Sequence, residues 1–145
     1  MSTFLQHFTE QFARIDAHNL TPLRELYHND LRFEDPLHQL SGLPALEDYC
    51  RQLYQSTQDI RWQFHSLDQI AGNAQNGRGY LRWSLNFSHP SLKRGAPICV
   101  HGCSYLIWLD SKVTQHRDYF DAGALLYEHV PVLGRVIAWL KGRLA

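Results

Sequence analysis

Cysteine, methionine and proline are scarce in this chain, and neither sign of charge is in excess. Its 145 residues hold three cysteines, one methionine and six prolines, with 14 basic residues against 14 acidic ones. Each shortage excludes something. Cys50, Cys99 and Cys103 are odd in number and form no CxxC pair, so no disulfide framework is expected and the thiols read as reduced and buried. Neutrality argues against a nucleic-acid binder, which would normally show a basic face. No window approaches the length of a membrane span. No basic stretch followed by an apolar run opens the sequence, so no signal peptide is expected and a cytoplasmic location is. No Gly/Ser-rich linker or repeat divides the chain, so residues 1–145 read as one domain.

Aromatic and aliphatic residues are plentiful: 44% of the chain is apolar and 12% aromatic, enough for an ordered core. Their spacing changes along the chain. Phe4, Leu5, Phe8, Phe12 and Ile15 recur at helical intervals behind a cap at Ser2 or Thr3. Thr21 and Pro22 read as N-cap and first position of a short second helix carrying Leu23, Leu26 and Tyr27. Leu31 and Phe33 then alternate with Arg32 and Glu34, a strand that must stop at Asp35 because Pro36 donates no hydrogen bond and pushes its neighbour towards an extended backbone. After Ser41–Gly42, a third helix has Ala45, Leu46, Tyr49, Cys50, Leu53 and Tyr54 on its inner face.

From Ile60 the period is two. Strands are expected over 60–70, 81–88, 98–109 and 112–121, joined by the turn Asn73–Gly77, a loop from Pro90 to Pro97, and Asp110–Ser111. A helical extension over 123–145, interrupted by Pro131, closes the chain. Three helices followed by a meander of long antiparallel strands describe an α+β domain with a curved sheet. The last helix has two readings. It either packs on its own domain or a second subunit, or rests Trp139 and its aliphatics on a membrane surface with Arg135, Lys141 and Arg143 beside them.

The runs Tyr27–Asn29–Asp30, Phe33–Glu34–Asp35–Pro36, Gly42, Ala45–Leu46 and Tyr49, together with His116–Arg117–Asp118–Tyr119–Phe120–Asp121, resemble SnoaL-like proteins and ketosteroid isomerases. The resemblance implies the cone-shaped nuclear transport factor 2-like fold: three N-terminal helices on a curved, mostly antiparallel sheet around a pocket. It also implies a homodimer formed through the outer face of the sheet. By position Asp35 matches the isomerases' general base. Their two oxyanion donors have no counterpart, since Phe8 and Phe12 stand where the first-helix tyrosine would be and Ile98–Leu109 contains no carboxylate. Ketosteroid isomerase activity itself is therefore not expected.

If the strands face as the resemblance implies, Trp83, Leu85 and Phe87 point into the cone. Alternation puts His116, Asp118 and Phe120 on one face of the last strand, and the resemblance makes that face the inner one. His101, Cys103 and Tyr105 share a face whose orientation the sequence leaves open. The candidate catalytic groups are accordingly Asp35, Asp118 and His116. Phe12, Tyr49, Trp83, Leu85, Phe87, His101 and Phe120 are candidates to bind a small apolar molecule. Asp35 has a second reading, as a cap on the loop before Pro36, and Asp118 as half of a buried pair with His116 or Arg117. His38, His101, His116 and Asp118 lack any metal-motif spacing, so neither metal nor cofactor is expected. Two functions remain open: an isomerase-, cyclase- or dehydratase-type enzyme with Asp35 as proton-transfer base, or a non-catalytic pocket for an apolar metabolite, lipid or regulatory partner.

Overall fold

The computed structural model describes residues 3–125 and 131–144. In chain order its elements are α1 (Thr3–Phe12), α2 (Thr21–Leu26), β1 (Tyr27–Glu34), β2 (Gln39–Ser41), α3 (Leu43–Ser56), β3 (Gln58–Gly72), β4 (Gly77–Ser88), β5 (Ile98–Leu109), β6 (Lys112–Phe120), α4 (Ala122–Leu125) and α5 (Pro131–Leu144). The strands form one sheet in the spatial order β2-β1-β6-β5-β4-β3. All pairings are antiparallel except β1 with β6. This is the expected α+β cone, with α1, α2 and α3 as its N-terminal helices.

One layer of side chains joins the helices to the sheet. Leu5 and Phe8 of α1 are fully buried, and Phe4 lies flat on Trp108 of β5 with ring centroids 4.4 Å apart. Trp108 has no exposed surface and donates its indole N–H to the Asn73 carbonyl at 2.8 Å. Helix α3 turns Leu46 and Cys50 inward. Its start needs a residue that tolerates φ +91°, and Gly42 supplies it; the Gly42 N–H then bonds the Leu31 carbonyl at 2.8 Å, tying the helix to β1.

Several boundaries move from their expected places. Thr21 is the first residue of α2 rather than its cap, and the helix has no side-chain cap. Tyr27 belongs to β1, because its extended backbone (φ −118°, ψ 141°) ends α2. Strand β2 is three residues long, too short for alternation to reveal. It pairs back on β1 with Phe33 opposite Leu40. Ile15 is buried yet lies beyond the end of α1. Pro131, expected to interrupt the last helix, begins α5; residues 126–130 and the proposed cap Ser2 lie outside the described residues.

The register of β4 on β5 settles which way β5 faces. Trp83 is opposite Gly102 and Ser84 opposite His101, so Ile98, Val100, Gly102, Ser104, Leu106 and Trp108 point inward. His101 therefore does not line the cone, contrary to expectation. It lies on the outer face, where its Nδ1 and His65 Nε2 both reach the buried Ser84 hydroxyl, at 2.9 and 2.6 Å.

The expectation of buried thiols holds for one cysteine. Cys50 is buried, Cys103 is half-buried, Cys99 is exposed, and all three are free. Burial pushes the Cys50 thiol up to about 12. Alkylation by iodoacetamide at pH 8, followed by peptide mass spectrometry, should modify Cys99 readily and leave Cys50 intact until the protein is unfolded. The sign for stability follows. Above pH 9 the unfolded thiol ionises while the folded one keeps its proton, so Cys50 makes stability fall as the pH rises beyond that point.

Candidate functional site

The concave side of the sheet and the inner face of α3 enclose a cavity of about 350 Å³, at the lower end of the range for small-molecule sites. Its wall is aromatic and aliphatic: Phe12 from α1, Leu46 and Leu53 from α3, Trp62 from β3, Trp83, Leu85 and Phe87 from β4, Val100 from β5 and Phe120 from β6. The Trp62 and Trp83 rings meet edge to face at 5.0 Å. The cavity reaches the surface where the exposed Ser56 and Ser91 line it. All the candidate side chains except His101 line this cavity, Asp35 and Asp118 included.

The two carboxyl groups are in different situations. Asp35 follows the last residue of β1, and its side chain is 2% exposed. Its Oδ1 accepts the backbone N–H groups of Leu37 and His38, both at 2.7 Å. His38 Nδ1 lies 3.2 Å from the same oxygen, and the Tyr49 hydroxyl donates to Oδ2 at 3.0 Å. Asp35 thus shapes the turn forced by Pro36 and holds Tyr49 in the cavity wall. Burial first, and then Asp35 itself, push the Tyr49 hydroxyl well above its ordinary value, so Tyr49 keeps its proton and stays a donor. Asp35→Ala leaves the two part-buried N–H groups and the Tyr49 hydroxyl without their acceptor. About 3 kcal/mol should be lost in urea unfolding, against about 1 kcal/mol for Asp35→Asn, which keeps one acceptor oxygen.

Asp118 ends a chain of buried groups. Trp83 donates its indole N–H to the Ser104 hydroxyl at 2.8 Å, and Ser104 donates a short bond to Asp118 Oδ1. His116 Nε2 lies 2.6 Å from that oxygen, while its Nδ1 lies 2.8 Å from the Tyr27 hydroxyl. In the neutral imidazole, Nε2–H donates to Asp118 and Nδ1 is left to accept the tyrosine proton. Asp118 Oδ1 therefore takes two bonds. Oδ2 has no hydrogen-bond partner among the described residues, and the side chain keeps 12% of its surface, at the cavity. Register builds this arrangement: β5 puts Ser104 opposite Asp118, and β1 puts Phe33 beside His116.

Three members of the site escape the sequence reading as functional groups. Tyr27 reads there as a helix residue, yet its buried ring stacks beside His116 at 5.9 Å. Ser104 shares the parity of Leu106 and Trp108, and that parity is visible only once β5 is oriented. Tyr54 stands on the inner face of α3 as expected, and its chemistry comes from Trp62, whose indole N–H donates to the Tyr54 oxygen at 3.0 Å. The Tyr54 proton has no acceptor among the described residues. Burial raises the Tyr54 hydroxyl well above its ordinary value, so it too stays a donor. No three His, Cys, Asp or Glu side chains among the described residues converge as a metal shell would.

A family model described as the SnoaL-like domain matches residues 8–116. No curated protein matches the sequence. Solved structures share the fold at low identity. An NTF2-like protein of unknown function from Exiguobacterium is 17% identical, with a TM-score of 0.66 over 83% of this chain and 99% of that one. An LEH-like epoxide hydrolase from M. tuberculosis is 17% identical, with a TM-score of 0.65 over 97% and 98%. A protein with a ketosteroid isomerase-like fold from Catenulispora acidiphila, in complex with trimethylamine, is 9% identical, with a TM-score of 0.68 over 87% and 92%. With most of its length matched by the family model, the chain belongs to the SnoaL-like family, and its sheet and cone have the NTF2-like fold.

Proposed function

We propose that the cone is an acid–base active site for a small, largely apolar molecule bearing an acceptor oxygen, with Asp118 as the group that moves the proton. The observation that carries this reading is Asp118 Oδ2, unpartnered among the described residues, at an apolar cavity and backed by Ser104 and by the Tyr27–His116 pair. Asp35 is engaged by the backbone and Tyr49, so it is assigned to positioning rather than to the base role. Tyr54 supplies the electrophile, because a hydroxyl that already accepts a bond from Trp62 donates more strongly to a ligand oxygen.

In this scheme Asp118 Oδ2 takes a proton from the carbon next to a carbonyl. The C–H electron pair moves into the new C=C bond, and the carbonyl oxygen gains charge against the Tyr54 proton. Return of the proton at another carbon is isomerisation; departure of a group from the next carbon is elimination. Incubation with a panel of apolar ketones and esters in D₂O, followed by mass spectrometry, tests the scheme. Deuterium should enter the bound compound with the native protein and not with Asp118→Asn. Tight binding without exchange would favour the second reading, a non-catalytic pocket, to which the saturated Asp35 carboxyl lends support.

The homodimer implied by the family would use the outer sheet face, where the Tyr80 and Tyr105 rings meet at 4.9 Å and Tyr119 is exposed. A monomer in sedimentation at micromolar concentration contradicts that assembly and leaves the cone unaffected.

A further inference from the structure

Helix α5 leaves four apolar residues uncovered by the rest of the protein. Val136, Trp139, Leu140 and Leu144 are all exposed, Trp139 at 60% and Leu144 at 88%. At 100° per residue the four fall within an arc of about 140°. Arg143 sits inside that arc with its guanidinium 5.1 Å from the Trp139 ring centre. Ile137, just past the edge of that arc, and Gly134, on the opposite side, are half-buried. The helix has 14 residues, and no helix among the described residues is long and apolar enough to cross a membrane.

The surroundings of the helix are those of the cavity mouth. Lys141 Nζ reaches Asp121 Oδ2 at 3.4 Å, one residue beyond the cavity-lining Phe120. The loop 89–97 borders the same cavity through His89, Ser91 and Leu92, and exposes Lys93 and Arg94. Together the loop and α5 hold five basic residues (Lys93, Arg94, Arg135, Lys141 and Arg143) and no acidic one. Since the whole chain is neutral, everything outside these two segments sums to −5. The two segments are thus cationic and the remainder of the chain acidic.

We propose that this end docks on a bilayer surface carrying anionic headgroups, with α5 in the interface plane and the mouth of the cone facing the lipid. An exposed Trp and aliphatic arc supplies the apolar area, and basic residues on α5 and on the loop supply attraction to the headgroups. The apolar cavity behind them then receives its ligand from the bilayer, whether or not it performs chemistry. A second copy of the chain would not require both segments to carry basic residues and no acidic one.

The test is flotation of the full-length protein with vesicles of phosphatidylcholine, alone or mixed with phosphatidylglycerol. Binding is expected on the mixed vesicles only, weakening as salt rises. Trp139→Ser with Leu140→Ser should abolish it. Lys93→Ser with Arg94→Ser should lower the partition about fivefold per residue, although neither is on α5. Absence of flotation, equal binding to pure phosphatidylcholine, or an unchanged partition for the Lys93/Arg94 variant would each overturn the proposal. So would a native protein that stays off vesicles and whose dimer is split by the Trp139/Leu140 change, since a second copy then covers α5. Asp118→Asn should float as the native protein does, which separates this result from the outcome for the proposed chemistry.

Discussion

Asp118→Asn should lower turnover by about 10²- to 10⁴-fold, the span typical of a lost general base, while ligand affinity changes only a fewfold. The asparagine oxygen can keep the bonds from Ser104 and His116, so the buried chain of groups stays satisfied. What disappears is the free Oδ2, replaced by an amide that cannot take a proton. Asp118→Ala is a poorer probe, because it strips an acceptor from two buried donors and confounds chemistry with folding. Tyr54→Phe should cost about 10²-fold in turnover through the lost oxyanion donor. Asp35→Asn should leave turnover within a fewfold. If instead Asp35→Asn abolishes turnover and Asp118→Asn does not, the assignment of the base is reversed. Single-turnover kinetics with a binding measurement on each variant distinguish these cases.

The sequence was informative wherever one period ran uninterrupted. Leu81, Trp83, Leu85 and Phe87 alternate without a break, and β4 has the expected faces. The same rule placed His116, Asp118 and Phe120 on the inner side of β6. It failed on β5 because Ile98–Leu109 carries apolar or aromatic residues at both parities: Leu106 and Trp108 inside, Tyr105 and Ile107 outside. Only pairing with β4 and β6 fixes the register, and pairing is a long-range property. Hence His101 was misplaced and Ser104 overlooked. The two readings of Asp35 could not be separated for a similar reason. Pro36 makes a turn certain, but whether the carboxyl satisfies that turn or faces a ligand depends on Leu37, His38 and Tyr49 meeting it in space. Tyr27 illustrates a third limit, since a boundary error of one residue turned a member of the site into a helix residue.

Gly102→Ala should disturb the protein strongly although it adds a single methyl group behind the cavity-lining Trp83. No positive φ demands glycine at this position; space does. A Cβ there would lie 2.3 Å from Cη2 and 2.4 Å from Cζ2 of Trp83, far inside contact distance. The indole packs across the backbone of the facing strand because residue 102 has no side chain. It cannot simply move aside, for its N–H is bound to Ser104, which in turn holds Asp118. Overpacking of this kind typically costs 1–3 kcal/mol, here with added loss from the broken indole bond. Turnover should fall along with stability, since a displaced Trp83 alters both the wall and the support of Asp118. Trp83→Phe removes the clashing part of the ring, so the double variant should be less destabilised than the sum of the single ones, with a coupling of about 1 kcal/mol or more. Urea unfolding of the four proteins measures that coupling. Additive losses would mean that Gly102 and Trp83 act independently, and the close packing of indole on backbone would not be what shapes this side of the cone.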